Sequence, residues 1–138
     1  MNAVLLDTSM VVGLLDRRDA AHAVCVEALE LVNRPMVTCE AVVSESCFLL
    51  NHIPGAPEQV ILNLERGMFQ IGFQFSASVN AVRSLMRKYS DVPIDFADAC
   101  LIQMAEELDT GDILTLDSDF RHYRWRKSKP FNLLIPLE

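Results

Sequence analysis

The sequence predicts an α/β fold: three α/β/α layers around a central, mainly parallel, twisted sheet. Three observations predict it. Short apolar runs alternate with stretches of helical periodicity along all 138 residues, the arrangement that builds a helix-covered parallel sheet. Hydrophobic residues make up 51 % of the chain, enough to fill one core and too many for a disordered segment. The two strongest strand candidates both run into an aspartate, as Val4-Leu5-Leu6-Asp7 and Ile113-Leu114-Thr115-Leu116-Asp117. Residues 1–138 read as one domain, without repeat, linker or low-complexity tract.

Each element has a local reason. Ala3 to Leu6 is a short buried strand, and Thr8 or Ser9 can cap a helix running to Leu15. Asp16-Arg17-Arg18-Asp19 reads as a turn before a helix from Ala20 to Asn33, whose Ala23, Val26, Ala28, Leu29, Leu31 and Val32 form a wide apolar stripe. Pro35 interrupts the chain, Met36 to Thr38 is a strand, and Glu40 to Asn51 is helical. After the loop His52 to Pro57, Pro57 suits the first turn of a helix reaching Arg66. Met68 to Phe75 is strand-like in part, and Ser76 opens a helix to Tyr89. Asp91-Val92-Pro93 is a turn. A helix spans Asp95 to Leu108, with Gly111 as its C-terminal stop. Strands follow at Ile113 to Leu116 and at Asn132 to Ile135.

Composition narrows the function. The formal net charge of −7 argues against capture of nucleic acid on a broad basic face and suits an acidic site that binds cations. Cys25, Cys39, Cys47 and Cys100 lack disulfide or zinc spacing and read as buried thiols. His22, His52 and His122 stand in unrelated contexts and read as surface residues. No apolar stretch is long enough for a membrane span, and Met1 to Leu6 lacks the features of a signal peptide, so the cytoplasm is expected.

The acids carry the chemistry. Ligands of open α/β sheets sit beyond the carboxyl ends of the strands, where Asp7 and Asp117 are expected. A strand-end aspartate is commonly a turn or helix cap, but two of them after the two strongest strands point to a shared crevice. Glu45 and Asp98 interrupt helices where apolar residues are expected, in Ala41-Val42-Val43-Ser44-Glu45-Ser46-Cys47-Phe48 and Phe96-Ala97-Asp98-Ala99-Cys100. Burying an unpaired carboxylate is costly, so each needs solvent, a partner or a metal. For Glu45, a solvated helix face and a site acid both stand. The alanines flanking Asp98 favour close approach of another element. Asp7, Glu45, Asp98 and Asp117 together offer hard oxygen ligands of the kind Mg²⁺ or Mn²⁺ takes, and such ions activate water in phosphoryl transfer. Asp95 reads as a helix cap beside the site. Asp119 is either a metal ligand through water or the cap of the turn holding Phe120. Glu40 reads as a first-turn helix acid.

The strings VLLDTS, TCEAVVSESCFLL, DVPIDFADACLIQMAEEL and ILTLDSDF, in this order and spacing, resemble the successive motifs of the PIN-domain family. The resemblance implies a PIN-like domain with Mg²⁺- or Mn²⁺-dependent endoribonuclease activity that leaves a 5′-phosphate and a 3′-hydroxyl. It places the family acids on Asp7, Glu45, Asp98 and Asp117, with Thr8 as the hydroxyl that orients the first. Many bacterial members are toxins of toxin–antitoxin pairs and many dimerise, so it also implies an RNA substrate, a cognate antitoxin and a homodimer. A binding-only member acting through a protein partner is one alternative. A Mg²⁺-dependent phosphoacceptor domain is another, although Asp7 has no adjacent acid and no lysine follows a late strand in a suitable setting.

The run Arg121-His122-Tyr123-Arg124-Trp125-Arg126-Lys127-Ser128-Lys129 mixes bases and aromatics, as suits phosphates and unstacked RNA bases. Arg121, Arg124 and Arg126 are its candidate RNA contacts, and Arg83, Arg87 and Lys88 can extend it. A solvated loop that balances an acidic protein is the other reading.

Overall fold

The computed structural model describes residues 2–92 and 94–137. Five short strands form the main sheet: β1 (Val4–Leu6), β2 (Met36–Thr38), β3 (Gln70–Ile71), β4 (Asp112–Leu114) and β7 (Asn132–Leu133). Their order is β3-β2-β1-β4-β7 and every pairing is parallel. Helices cover both faces, as expected. β1 is central, with Leu5 in register with both Val37 and Ile113. Val4, Leu5, Leu6, Ile113 and Leu114 are fully buried, which explains why these strands read as continuous apolar runs without alternation.

The connections run through α1 (Thr8–Leu15) and α2 (His22–Leu31) to β2, and through α3 (Glu40–Leu49) and α4 (Ala56–Glu65) to β3. The chain then returns through α5 (Val79–Lys88) and α6 (Phe96–Leu108) to β4, on the other side of β1. The strand order therefore reverses between β1 and β4, and a crevice opens beyond their carboxyl ends. α6 lies against β1 and α3. Ala97 and Ala99 are buried on either side of Asp98, the close approach their size suggests.

Several boundaries differ from the sequence expectations. Asp7, not Thr8 or Ser9, caps α1: its carboxylate accepts the Thr8 N–H at 2.8 Å. Ser76 lies in a separate 3₁₀ turn, Phe75–Ala77, and α5 starts only at Val79. The α2 stripe is narrower than predicted, because Cys25 alone is fully buried and Leu31 is 86 % exposed. The expected turn at Asp91-Val92-Pro93 includes Pro93, which lies outside the described residues. His22 is half-buried rather than a surface residue, with Nδ1 2.8 Å from the Gly13 carbonyl. All four cysteines are free, and Cys25, Cys39 and Cys100 are buried.

The basic run is a hairpin, not a loop. β5 (Arg124–Trp125) pairs antiparallel with β6 (Lys129–Pro130), across a turn in which Arg126 and Lys127 take positive φ. Gly111 does not stop α6. The left-handed residue there is Asp109, whose N–H returns to the Ala105 carbonyl. Gly111 instead lies under the Trp125 indole, where a Cβ would stand 2.3 Å from Nε1. Gly111→Ala is therefore expected to destabilise the protein by about 1–3 kcal/mol through overpacking against a ring that cannot withdraw, measured by urea unfolding. An unchanged unfolding midpoint would show that the hairpin is not packed this way.

Candidate active site

The crevice beyond β1 and β4 has a volume of ≈ 330 Å³ and takes its walls chiefly from four parts of the chain. Asp7, Thr8 and Ser9 come from the start of α1, Glu45 and Leu49 from α3, Asp95 and Asp98 from the start of α6, and Leu116 and Asp117 from the loop after β4. All four acids assigned from sequence line it. Asp19, on the α1–α2 turn, lines it too and was not foreseen. Among the described residues, none of the lining residues is basic.

Hydroxyl groups hold the acids in place. Asp7 is buried, and its Oδ2 accepts the Thr115 hydroxyl at 2.6 Å. The same Thr115 oxygen accepts the Asp117 N–H at 3.0 Å, so one side chain links both strand-end aspartates. Ser9 donates to Asp7 and accepts the Leu116 N–H at 2.9 Å, fastening the β4 loop to α1. Thr8 does not orient Asp7 through its hydroxyl. That group donates to Glu45 Oε1 at 2.6 Å and so aims the α3 glutamate across the cleft. Asp98 Oδ2 accepts the hydroxyl of the buried Tyr123 at 3.2 Å.

The neighbouring acids divide between roles. Asp95 caps α6, accepting the Asp98 N–H at 2.8 Å, and also lines the cleft. Asp119 is not the cap of the following 3₁₀ turn. Asp117 is, through a 2.9 Å bond from the Asp119 N–H. Among the described residues, no three Asp, Glu, His or Cys side chains are already drawn in to metal-ligand spacing; the acids ring the cleft. The donor set nonetheless fits a hard divalent cation, being all carboxylate with hydroxyl and backbone support and no opposing base.

The predicted basic aromatics do not face this cleft as stacking platforms. Tyr123 and Trp125 are both buried, Tyr123 edge-on to Phe120 and Tyr89. Of the arginines, Arg121 donates to the Leu137 carbonyl, and Arg124 to the Arg121 and Tyr123 carbonyls at 2.8 Å each. Arg126 pairs with Asp109 at 2.8 Å.

Residues 4–126 match the PIN domain family, a span that contains all four sequence motifs. The chain belongs to the PIN-domain family. This PIN domain is 27 % identical over 122 residues to Ribonuclease VapC26 of Mycobacterium tuberculosis, covering 87 % of this chain and 89 % of that protein. Its fold is similar to the crystal structure of M. tuberculosis VapC20, a sarcin-ricin-loop-cleaving toxin. There the TM-score is 0.81 at 17 % identity, over 92 % of this chain and 99 % of that one.

Crowding acids in a partly buried cleft raises their affinity for protons. In this PIN domain Asp7 is pushed from an ordinary 3.8 to about 6, chiefly by burial, with Asp117 and Glu45 adding repulsion and the Thr115 and Thr8 bonds opposing it. Asp98 is pushed to about 8, again chiefly by burial, then by Asp95, Asp7 and Asp117. Asp117 is raised by burial, an effect partly offset by the Asp119 N–H.

These shifts fix the sign of a pH effect. Between about pH 4 and 8 the folded metal-free protein binds more protons than the unfolded chain, so stability falls as pH rises through that window. Asp98→Asn keeps an acceptor for Tyr123 and removes the larger shift. In EDTA at pH 8 the variant is expected to equal or exceed wild type in stability, and to lose the upper part of the decline. Urea melts across this range check it. A variant weaker than wild type by about 0.5–2 kcal/mol would mark Asp98 as a structural residue.

Proposed function

We propose that this PIN domain is a metal-dependent endoribonuclease that hydrolyses RNA phosphodiester bonds and serves as the toxin of a toxin–antitoxin pair. The observation that carries the reading is the convergence of Asp7, Glu45, Asp98 and Asp117 on one cleft without a basic residue, in a chain of this family. The likeness to a protein named as a ribonuclease supports it. Asp7, Asp98 and Asp117 would hold Mg²⁺ or Mn²⁺, with Glu45 completing the set or orienting the water. Bound there, the ion would supply charge for the phosphate and a lowered pKa for the attacking water.

The chain's own groups do the rest. Thr115 and Thr8 fix the rotamers of Asp7 and Glu45, and Tyr123 directs one oxygen of Asp98, leaving the other toward the cleft. The water oxygen forms the new bond to phosphorus, and the 3′-oxygen leaves and takes up a proton. Arg121, Arg124 and Arg126 each keep N–H donors beyond their internal bonds and serve as rim contacts to the RNA backbone. A phosphoacceptor role is disfavoured because no lysine lines the cleft among the described residues.

As partners we propose RNA, a cognate antitoxin and a second copy of the chain, acting in the cytoplasm as one nuclease domain. Among the described residues, no helix is long and apolar enough to cross a membrane.

Cleavage of RNA is expected to require Mn²⁺ or Mg²⁺, to stop in EDTA, and to fall by at least about 100-fold in Asp7→Asn and Asp98→Asn. Gel assays on several RNAs read it. Activity that persists in EDTA, or in both variants, refutes the assignment, and a folded, metal-replete wild type that cleaves no RNA favours the binding-only reading.

A further inference from the structure

A second cavity, of ≈ 450 Å³, opens beside the turn between α1 and α2 and is lined by Leu15, Asp16, Arg17, Arg18, His52, Ile53 and Pro54. The next residue along the chain, Asp19, lines the acid cleft. Successive Cα atoms are about 3.8 Å apart, so this one turn supplies neighbouring wall residues to both cavities. We propose that Arg17 and Arg18 form an anion subsite at the edge of the acid cleft, which holds a backbone phosphate of the RNA next to the scissile one. The proposal rests on the nuclease reading for the identity of its ligand.

The turn is rigid where a subsite needs rigidity. Asp16 Oδ1 accepts the Arg18 N–H at 3.0 Å, the Asp19 N–H returns to the Asp16 carbonyl at 3.0 Å, and Asp19 Oδ1 accepts the Ala21 N–H at 2.8 Å. Its cationic groups are uncommitted. Among the described residues, neither the Arg17 nor the Arg18 guanidinium has a hydrogen-bond or ion-pair partner, whereas those of Arg121, Arg124 and Arg126 all do. Asp16, the cavity's carboxylate, is turned to the Arg18 N–H and to His52 Nε2, 3.7 Å away, and leaves the two guanidinia uncompensated. Two exposed arginines against a cavity therefore present up to ten N–H donors, in the planar arrangement that suits phosphate oxygens.

The cleft itself supplies the need. Its acids repel every phosphate that a metal does not neutralise, and an RNA chain brings flanking phosphates on both sides of the cut. A cationic pair one residue from the acid wall offsets that repulsion without entering the metal site.

The test compares Arg17→Ala/Arg18→Ala with wild type and with Arg34→Ala/Arg66→Ala, which removes the same charge from residues that line neither cavity and lie outside the candidate RNA contacts. With an RNA that wild type cleaves in Mn²⁺, KM of the first double variant is expected to rise about tenfold with kcat within about twofold, the pattern of lost uniform binding. The slope of log KM against log salt should shrink by about 1.4, for two lost phosphate contacts on a single strand. The control pair should match wild type. An unchanged KM and slope in Arg17→Ala/Arg18→Ala, or an equal change in both double variants, overturns the subsite while leaving the nuclease intact. If wild type cleaves no RNA, the nuclease reading fails on its own. The subsite is then judged by fluorescence anisotropy with a labelled single-stranded RNA, where equal affinities of wild type and Arg17→Ala/Arg18→Ala overturn it.

Discussion

The 2.6 Å hydrogen bond from Thr115 to Asp7 joins residues 108 positions apart, and the site depends on it. Asp7 ends the central strand and Thr115 follows the strand beside it, so the bond can form only when β1 and β4 pair in register. Thr115 also takes the Asp117 N–H, which sets the second strand-end aspartate at the same crevice. A parallel sheet whose order reverses between these strands supplies the opening, and one threonine converts the opening into a fixed arrangement of acids. Removing its hydroxyl would leave the buried Asp7 carboxylate short of a donor.

The same arrangement works against stability. Asp7 and Asp98 are held where burial and neighbouring acids favour the protonated form, so each is poorly placed for folding and well placed for a cation. Hydroxyl donors from Thr8, Ser9, Thr115 and Tyr123 temper the penalty without neutralising the charge, as a lysine or arginine would. The cleft therefore stays anionic and open to a metal. Among the described residues no guanidinium lines it; Arg17 and Arg18 lie outside it on the α1–α2 turn, and Arg124 and Arg126 in the β5–β6 hairpin.

Much of this was legible in the sequence because charge in an apolar setting is a strong signal. Asp7, Glu45, Asp98 and Asp117 each interrupt a strand end or a helix that is otherwise hydrophobic, and the structure brings all four to one cleft. Their supports were not legible. Thr115 is a good strand residue in its own right, and only the long-range register reveals the hydroxyl's partner. Tyr123 sat in a basic run and looked like a base-stacking group, but it is buried and bonded to Asp98. The hairpin escaped notice because its strands are two residues long and its turn uses Arg126 and Lys127 at positive φ, where glycine or asparagine is the usual marker. Asp19 reads as an ordinary turn acid until the fold carries it to the cleft wall.

The central claim is that the acid cleft is built to exchange protons for a divalent ion. Calorimetric titration of Mn²⁺ into the metal-free protein at pH 7, in buffers of different ionisation enthalpy, tests it most directly. With Asp98 near 8 and Asp7 near 6, binding should release about one proton, mostly from Asp98, and Asp98→Asn should lose that release together with most of the affinity. Tight binding with no dependence on buffer, or binding unchanged in Asp98→Asn, would contradict it.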